Sequence, residues 1–475
     1  MRFLFILCVS LAGVTLGCGV ETGSASPVDE SPQVVAAEAT LPAVAAKATL
    51  QGMEAKQTAA WCDARDVLFG NVAHYRLRLR VGPGAFDFIT LHRVVREDGP
   101  WRPARTNRSV FMVHGDGWGF EAAFLSSVGS AQVPADQSIA AFLAKEGVDV
   151  WGIDLRWAGV PAGTQDFSFM ANWTLGTHAQ DVGTGLTVAR ALRLVTGSGG
   201  NGSMHLMGWS RGAAVAYAYM SLDAKLPRGL RQVDGFIPVD MVLRYAPQDA
   251  DQQAFACERH AVLNAARQAG RVEGGLLGPA PGITLQLLGQ LAATAPNAPS
   301  PLLPEDVFGP GTGKPTNRKA AIVSAAATGA LLAPLKAITP GYHLMAAMPD
   351  ALGLPETMTF TREAYLYEYA QRAAPYQSLN EVVETEAWAC GLPVPYDDNL
   401  HKVTVPVLYV GAAGGVGRYG EHTLTLLGSQ DVTVLTARTL PEAARALDYG
   451  HADLFLANDA KERVWKPVLQ WVKTH

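Results

Sequence analysis

Ser210 sits in Gly208-Trp209-Ser210-Arg211-Gly212, with a glycine two residues away on each side. The apolar run Met204–Met207 leads into it, and Ala213–Met220, rich in good helix formers, follows. Strand, sharp turn and helix in that order put a serine in strained backbone at the apex, with its oxygen lifted clear of the sheet. Side chains two residues either side must then be very small, and the Arg211 amide points at whatever the oxygen attacks. A serine hydroxyl is a poor nucleophile until an imidazole takes its proton, and histidine is the side chain that titrates near neutrality. The chemistry offered is acyl transfer, provided that a histidine, a carboxylate and amide donors converge on Ser210.

Convergence has to come from the flanking elements. His74–Val81 alternates Tyr75, Leu77, Leu79 and Val81 with Arg76, Arg78 and Arg80, as a half-buried strand near a sheet edge does. Gly82-Pro83-Gly84 turns it into a second strand over Phe86–Val95, a hairpin. Val110–Val113 reads instead as a continuous apolar run, the signature of a parallel strand covered on both faces; Gly147–Asp154 is the next such run, Met204–Gly208 and Val233–Asp240 are further strands, the strand rhythm resumes at Val403–Gly411, and Val432–Leu435 is the last strand. Residues 122–145 supply a crossover helix. Thr177-His178-Ala179-Gln180 reads as a capping box for a helix over Val182–Leu194, and a closing helix from Asn458–Asp459 is expected to kink at Pro467. The pattern predicts an α/β fold, a mostly parallel sheet with right-handed crossovers. In such sheets sites lie beyond the carboxyl ends of the strands, and His114, Ser210, Asp240 and His451 all follow predicted strands there.

Between 241 and 402 the rhythm breaks into Ala-, Leu-, Gly- and Pro-rich sequence with helical pieces near 252–268, 319–332 and 361–372. This segment reads as an insertion that caps the sheet's carboxyl edge. The domain plan is a signal peptide over 1–18, a flexible Ala/Pro/Ser/Glu tether over 19–57, a core made of 58–240 and 403–475, and the 241–402 cap. The leader is one arginine and a short apolar run, too short to span a bilayer. Its Leu16-Gly17-Cys18 ending resembles the lipobox of bacterial lipoproteins, which would make Cys18 a lipidated first residue; ordinary cleavage, for instance after Ala25, is the alternative. The chain is accordingly expected outside the cytoplasm: periplasmic, anchored at the outer membrane, or secreted.

Five cysteines and a net charge of −5 narrow the field. Outside the cytosol a disulfide is permitted, and Cys257 with Cys390, both in the cap, is the preferred pair over any with Cys62. The charge gives no reason to expect nucleic acid as a partner, and no metal-binding spacing occurs, so neither metal nor cofactor is expected. Membrane contact is expected only through the N-terminal anchor.

In this order the motifs make the chain similar to the α/β-hydrolases, over about 70–240 and 403–473. They are His114-Gly115 after the third strand, Gly208–Gly212 after the fifth, and a late Gly450-His451. The phrase Gly450–Phe455 resembles the lipase and esterase branches. The resemblance implies Ser210 as nucleophile and His451 as general base, with amides of Arg211 and Asp116 as oxyanion hole and His114 and Gly115 bracing that loop. Members usually carry an aspartate after the strand that here is Val405–Gly411, yet the loop Ala412–Gly420 offers no carboxylate before Glu421. Some lipase branches place the acid after the preceding strand, at Asp240 here. Both remain candidates; Asp240 is preferred because it ends a strand while Glu421 opens a helix.

Other residues have blander readings. Asp154 and Arg156 suit a structural ion pair or turn, Asp453 suits a helix cap, and Glu421-His422 suits solvated surface. Trp118, Trp157, Trp173 and Trp209 suit either an acyl pocket or ordinary core packing. Residues 276–303 suit a lid touching lipid or a core of cap helices. The expected function is hydrolysis of hydrophobic or bulky carboxylic esters; amide or polyester cleavage on the same residues, or a non-catalytic binding protein of this fold, are the alternatives. Dehalogenase and epoxide hydrolase chemistry would need a carboxylate at Ser210. If the leader is processed as its ending suggests, intact-mass analysis of the protein expressed in a bacterium will find an acylated chain beginning at Cys18. An unmodified chain beginning at Ser26 would show ordinary cleavage instead.

Overall fold

Apolar runs without polar alternation are stable as strands only where both faces are covered. The computed structural model describes residues 62–196, 198, 202–327 and 336–475, and puts the runs in one sheet, all inside it except Val432–Leu435, which forms an edge strand with Val432 and Val434 exposed rather than covered. The expectations for the leader, Cys18 and the tether lie outside the described residues. In chain order the strands are β1 (Cys62–Phe69), β2 (Val72–Arg80), β3 (Phe88–Gly99), β4 (Arg102–Pro103), β5 (Ser109–Val113) and β6 (Asp149–Asp154). They continue with β7 (Met204–Trp209), β8 (Val233–Val239), β9 (Ala347–Pro349), β10 (Pro355–Met358), β11 (Val407–Ala412) and β12 (Val432–Ala437). The helices are α1 (Phe120–Phe124), α2 (Ile139–Lys145), α3 (Leu175–Val195), α4 (Arg211–Asp223), α5 (Ala250–Gln268) and α6 (Pro281–Thr294). After them come α7 (Asn317–Ala326), α8 (Glu363–Gln371), α9 (Leu379–Cys390), α10 (Asp453–Leu456) and α11 (Lys466–Thr474).

The main sheet runs β1-β2-β3-β6-β5-β7-β8-β11-β12, with β4 on β3. It is antiparallel from β1 to β6 and parallel from β6 through β12. The expected mostly parallel α/β architecture is therefore present. Strand order reverses at β5, which neighbours β6 on one side and β7 on the other; crevices for ligands open at such switch points. Period-two geometry splits each central strand between two cores. Val110 and Met112 face a cluster with α2 and α11, whereas Phe111 and Val113 face one with α3 and α4. In α4 nearly every residue is buried, so the helix behind Ser210 is enclosed on all sides.

Several local expectations need correction. The outer strand β1 precedes the expected hairpin, so β2 is not the sheet edge. Residues 122–145 hold two short helices, α1 and α2, rather than one crossover helix, with Pro134 in the loop between them. The capping residue of α3 is Thr174, whose hydroxyl accepts from the Thr177 amide at 3.1 Å, so the proposed box lies one turn inside the helix. Pro467 falls in the first turn of α11, where its missing N–H costs nothing, and the irregularity is a π-helical turn over Lys461–Trp465 just before it.

Residues 241–402 lie between β8 and β11 and contribute α5 to α9 and the β9–β10 pair. Their apolar side chains enter the same two cores as the sheet: Leu285, Leu288 and Tyr365 join one, Tyr376 and Trp388 the other. Helices α5 and α9 pack on each other and are joined by a Cys257–Cys390 disulfide across 133 residues of sequence. Closing so long a loop removes much freedom from the unfolded chain, about 2–5 kcal/mol in proteins of this kind. Urea unfolding of C257S/C390S is expected to show a loss in that range, and an unchanged midpoint would mean the crosslink constrains nothing.

Candidate active site

Ser210 ends β7 and opens α4 with φ +56° and ψ −133°, a conformation that side chains avoid unless the surroundings impose it. The imposition is steric. A Cβ on Gly208 would stand 2.4 Å from the Gly212 carbonyl oxygen, and one on Gly212 would meet the oxygens of Val113 and His114 at 2.3 Å. Gly115 packs against the serine itself, since a Cβ there would lie 2.5 Å from that of Ser210. As first residue of α4, Arg211 has an amide with no acceptor inside the helix.

Asp240 follows β8 directly, at φ +48°, and is fully buried. Its carboxylate accepts from the amides of Ala412 at 2.8 Å and of Val416 and Gly417 at 3.1 Å. The loop after β11, where a carboxylate is missing from the sequence, is thus wrapped around one supplied by β8. Gly415 in that loop has no room for a side chain: a Cβ would come within 2.1 Å of Asp240 Oδ2. His451 Nδ1 donates to the same Oδ2 at 2.6 Å, which leaves Nε2 as the lone-pair nitrogen, buried and without a partner among the described residues. Glu421 is not brought to His451. It lies on the 3₁₀ segment Gly417–Leu426, half-buried, its carboxyl raised by burial.

Residues of the 241–402 segment hold the histidine loop. His451 and Ala452 donate their amides to the carbonyls of His343 and Leu344 at 3.1 and 2.7 Å. Buried Asp453 accepts from the Gly450 and Ala346 amides and the Thr361 hydroxyl. His114 is fully buried; Leu155 donates its amide to Nε2 at 3.0 Å, so Nδ1 carries the proton and donates to the Gly115 carbonyl. Burial lowers its basicity.

Ser210, Asp240 and His451 line one cavity of about 90 Å³ with Asp116 and Arg211. Of the four tryptophans, Trp118 and Trp209 line it. Trp157 and Trp173 are packed away, donating to Glu381 and Asp87. What the sequence did not suggest is a row of charges along one wall. Arg211 Nε donates to Asp116 Oδ1 at 2.7 Å, Arg211 Nη2 lies 4.0 Å from Glu386, and Arg259 Nε donates to Glu386 at 2.9 Å. Burial alone would weaken the Arg211 cation, and the Asp116 carboxylate more than offsets that. Arg259 and Glu386 come from α5 and α9; the signal available was their position two residues after Cys257 and four before Cys390. Asp154 and Arg156 are structural but not partners: Asp154 accepts from His92 and the Phe120 amide, and Arg156 pairs with Asp181 and Asp87.

Among the described residues, His74, His92 and Glu121 bring ligand atoms within 4.8 Å of one another. The gap holds a cation already, since Arg76 Nη1 is 3.4 Å from both His74 Nδ1 and Glu121 Oε1. His74 Nε2 meets His92 Nδ1 at 3.0 Å, and His92 Nε2 meets Asp154, which caps the start of α1. That chain props the segment following the His114–Gly117 loop.

No family model matches the sequence, and no curated protein matches it. Solved structures do match. A protein from Sulfolobus solfataricus classed as a lipase superimposes with a TM-score of 0.55 at 19% identity, covering 85% of this chain and 94% of that one. A thermophilic esterase from Thermogutta terrifontis (14% identity, 84% and 98% covered) and a monoglyceride lipase from Saccharomyces cerevisiae (14%, 87% and 96%) each give 0.38, too loose an overlap to bear weight.

Burial, then His92 and Arg76, push His74 down to about 2. It therefore stays neutral when folded, whereas in the unfolded chain it takes a proton below about 6.5. The stability this represents is present above pH 6.5 and is lost as pH falls, reaching about 2 kcal/mol at pH 5. Urea unfolding at pH 8 and pH 5 should show H74Q losing about 2 kcal/mol less than the unsubstituted protein over that interval; parallel losses would place the titration elsewhere.

Proposed function

On the α/β-hydrolase fold that the sheet order and the Sulfolobus protein share, we propose that this chain is a serine hydrolase of carboxylic esters. Ser210 Oγ attacks the ester carbonyl while His451 Nε2 takes its proton. Asp240 holds the imidazole with Nδ1–H inward and stabilises the cation that forms. The amides of Arg211 and Asp116 receive the oxyanion, each such donor lowering the barrier by about 3 kcal/mol. His451 then returns the proton to the departing alcohol, leaving an acyl group on Ser210. Water enters by the same route in reverse and frees the acid. His114 and Gly115 keep the Asp116 loop against the serine.

The observation that carries this reading is the 2.6 Å Asp240–His451 hydrogen bond, which leaves an unpartnered Nε2 on a residue lining the same cavity as Ser210. The largely apolar lining supports hydrophobic esters. Export, with Cys18 as a lipid anchor, belongs to the same proposal and rests on the leader sequence. A non-catalytic binding role drew its support from the carboxylate missing after β11, and the Asp240 carboxylate in that loop weighs against it.

The test is turnover of nitrophenyl esters of rising acyl length by the full-length protein. S210A and H451A should each lower kcat by about a millionfold and D240N by about ten-thousandfold. E421Q should change it less than about twofold, being a partly exposed group off the proton path. Equal losses for D240N and E421Q would sink the assignment of the acid. No turnover, with Ser210 unlabelled by a fluorophosphonate, would sink the enzyme.

A further inference from the structure

The charges along the cavity wall go beyond what attack on an ester needs. Arg211 is almost fully buried; its Nε donates to Asp116, and its Nη2 lies only at ion-pair distance from Glu386. Its Nη1 is buried and has no hydrogen-bond partner among the described residues. Arg259 differs: its Nε goes to Glu386 and its Nη1 to the carbonyls of Lys336 and Ala337. Among the described residues that line the cavity, two buried donors lack a partner, Arg211 Nη1 and the Trp209 indole N–H; only the first carries charge, and it belongs to the residue after Ser210. A buried guanidinium N–H left unmet costs more than an exposed one, and a ligand oxygen that meets it recovers that cost.

We propose that the ester this site takes carries, besides its scissile group, a second acceptor oxygen that binds the Arg211 guanidinium, and that this oxygen is neutral: a ketone, ether, hydroxyl or further ester oxygen. The proposal rests on the ester hydrolase reading above. Neutrality follows from the charges already present. Asp116, Arg211, Glu386 and Arg259 alternate in sign and cancel, so a carboxylate brought by the ligand would enter a buried site with no cation left to balance it. A neutral acceptor satisfies the same N–H without adding charge. Met241, Val242, Leu276, Leu277 and Ile338, which share the wall with Tyr245, Ser324, Tyr342 and His343, suit alkyl carbon beside that oxygen.

Three nitrophenyl esters of matched length separate the choices: pentanoate, 4-oxopentanoate and the monosuccinate; 3-methoxypropanoate moves the oxygen one atom inward. Each is assayed with the full-length protein, after subtraction of its spontaneous hydrolysis. One oxygen-bearing neutral ester should exceed pentanoate in kcat/KM by about tenfold or more, the scale of one hydrogen bond to a charged donor. The monosuccinate should fall below pentanoate. Because R211M alone strands the Asp116 carboxylate, R211M/D116N removes both charges, and there the preference should collapse to about one whatever becomes of the absolute rate. R211K should keep part of it. If the double variant does not fold, the wild-type series still decides. Equal kcat/KM for all neutral esters, a preference that survives R211M/D116N, or preference for the monosuccinate each overturns the proposal while leaving the hydrolase reading intact. Absence of all turnover, with Ser210 unlabelled, fails both together.

Discussion

The buried carboxylate of Asp240 is the point on which the rest of this molecule depends. A full negative charge in a dry interior is tolerable only when its oxygens are saturated with donors. Here three amides of one loop and an imidazole supply them, and in doing so they fix where that loop and that imidazole sit. Removing the charge would leave those amides facing nothing. Loop, histidine and strand end therefore form one electrostatic unit assembled from residues 172 to 211 positions from Asp240.

Two kinds of constraint hold the other half of the site. The serine turn is set by contact: backbone oxygens fill the space where side chains at 208 and 212 would go. The loop opposite is set by hydrogen bonds through His114, with Asp154 and the His92–His74 pair supporting the segment behind it. Steric exclusion leaves a signature in sequence, because only glycine fits. Hydrogen-bonded support leaves almost none, since a buried histidine looks the same on paper whether it braces or reacts.

That contrast explains what could be read in advance. The inner parallel strands were legible because being covered on both faces demands mostly apolar residues, and the serine turn because its flanks must be glycine. Position at strand ends favoured Asp240, but nothing local could show that Ala412–Gly417 is shaped to receive a carboxylate from the neighbouring strand; that is a fact of register between β8 and β11. The Arg211–Asp116 and Arg259–Glu386 pairs were illegible for a related reason. Each joins helices or loops about a hundred residues apart, and pairing at that range obeys no spacing rule. The cysteines near Arg259 and Glu386 were the one trace. Helix boundaries erred where side chains chose between equivalent caps, as Thr174 did over Thr177.

The segment 339–346 of the insertion carries a last consequence. It accepts the amides of His451 and Ala452, and it contacts the Asp240 loop through His343 N to Gly414 O and Thr339 Oγ1 to Gly415 O. That stretch therefore ties the two loops into one mechanical unit, in which a displacement of 339–346 is passed to the His451 loop and the Asp240 loop together.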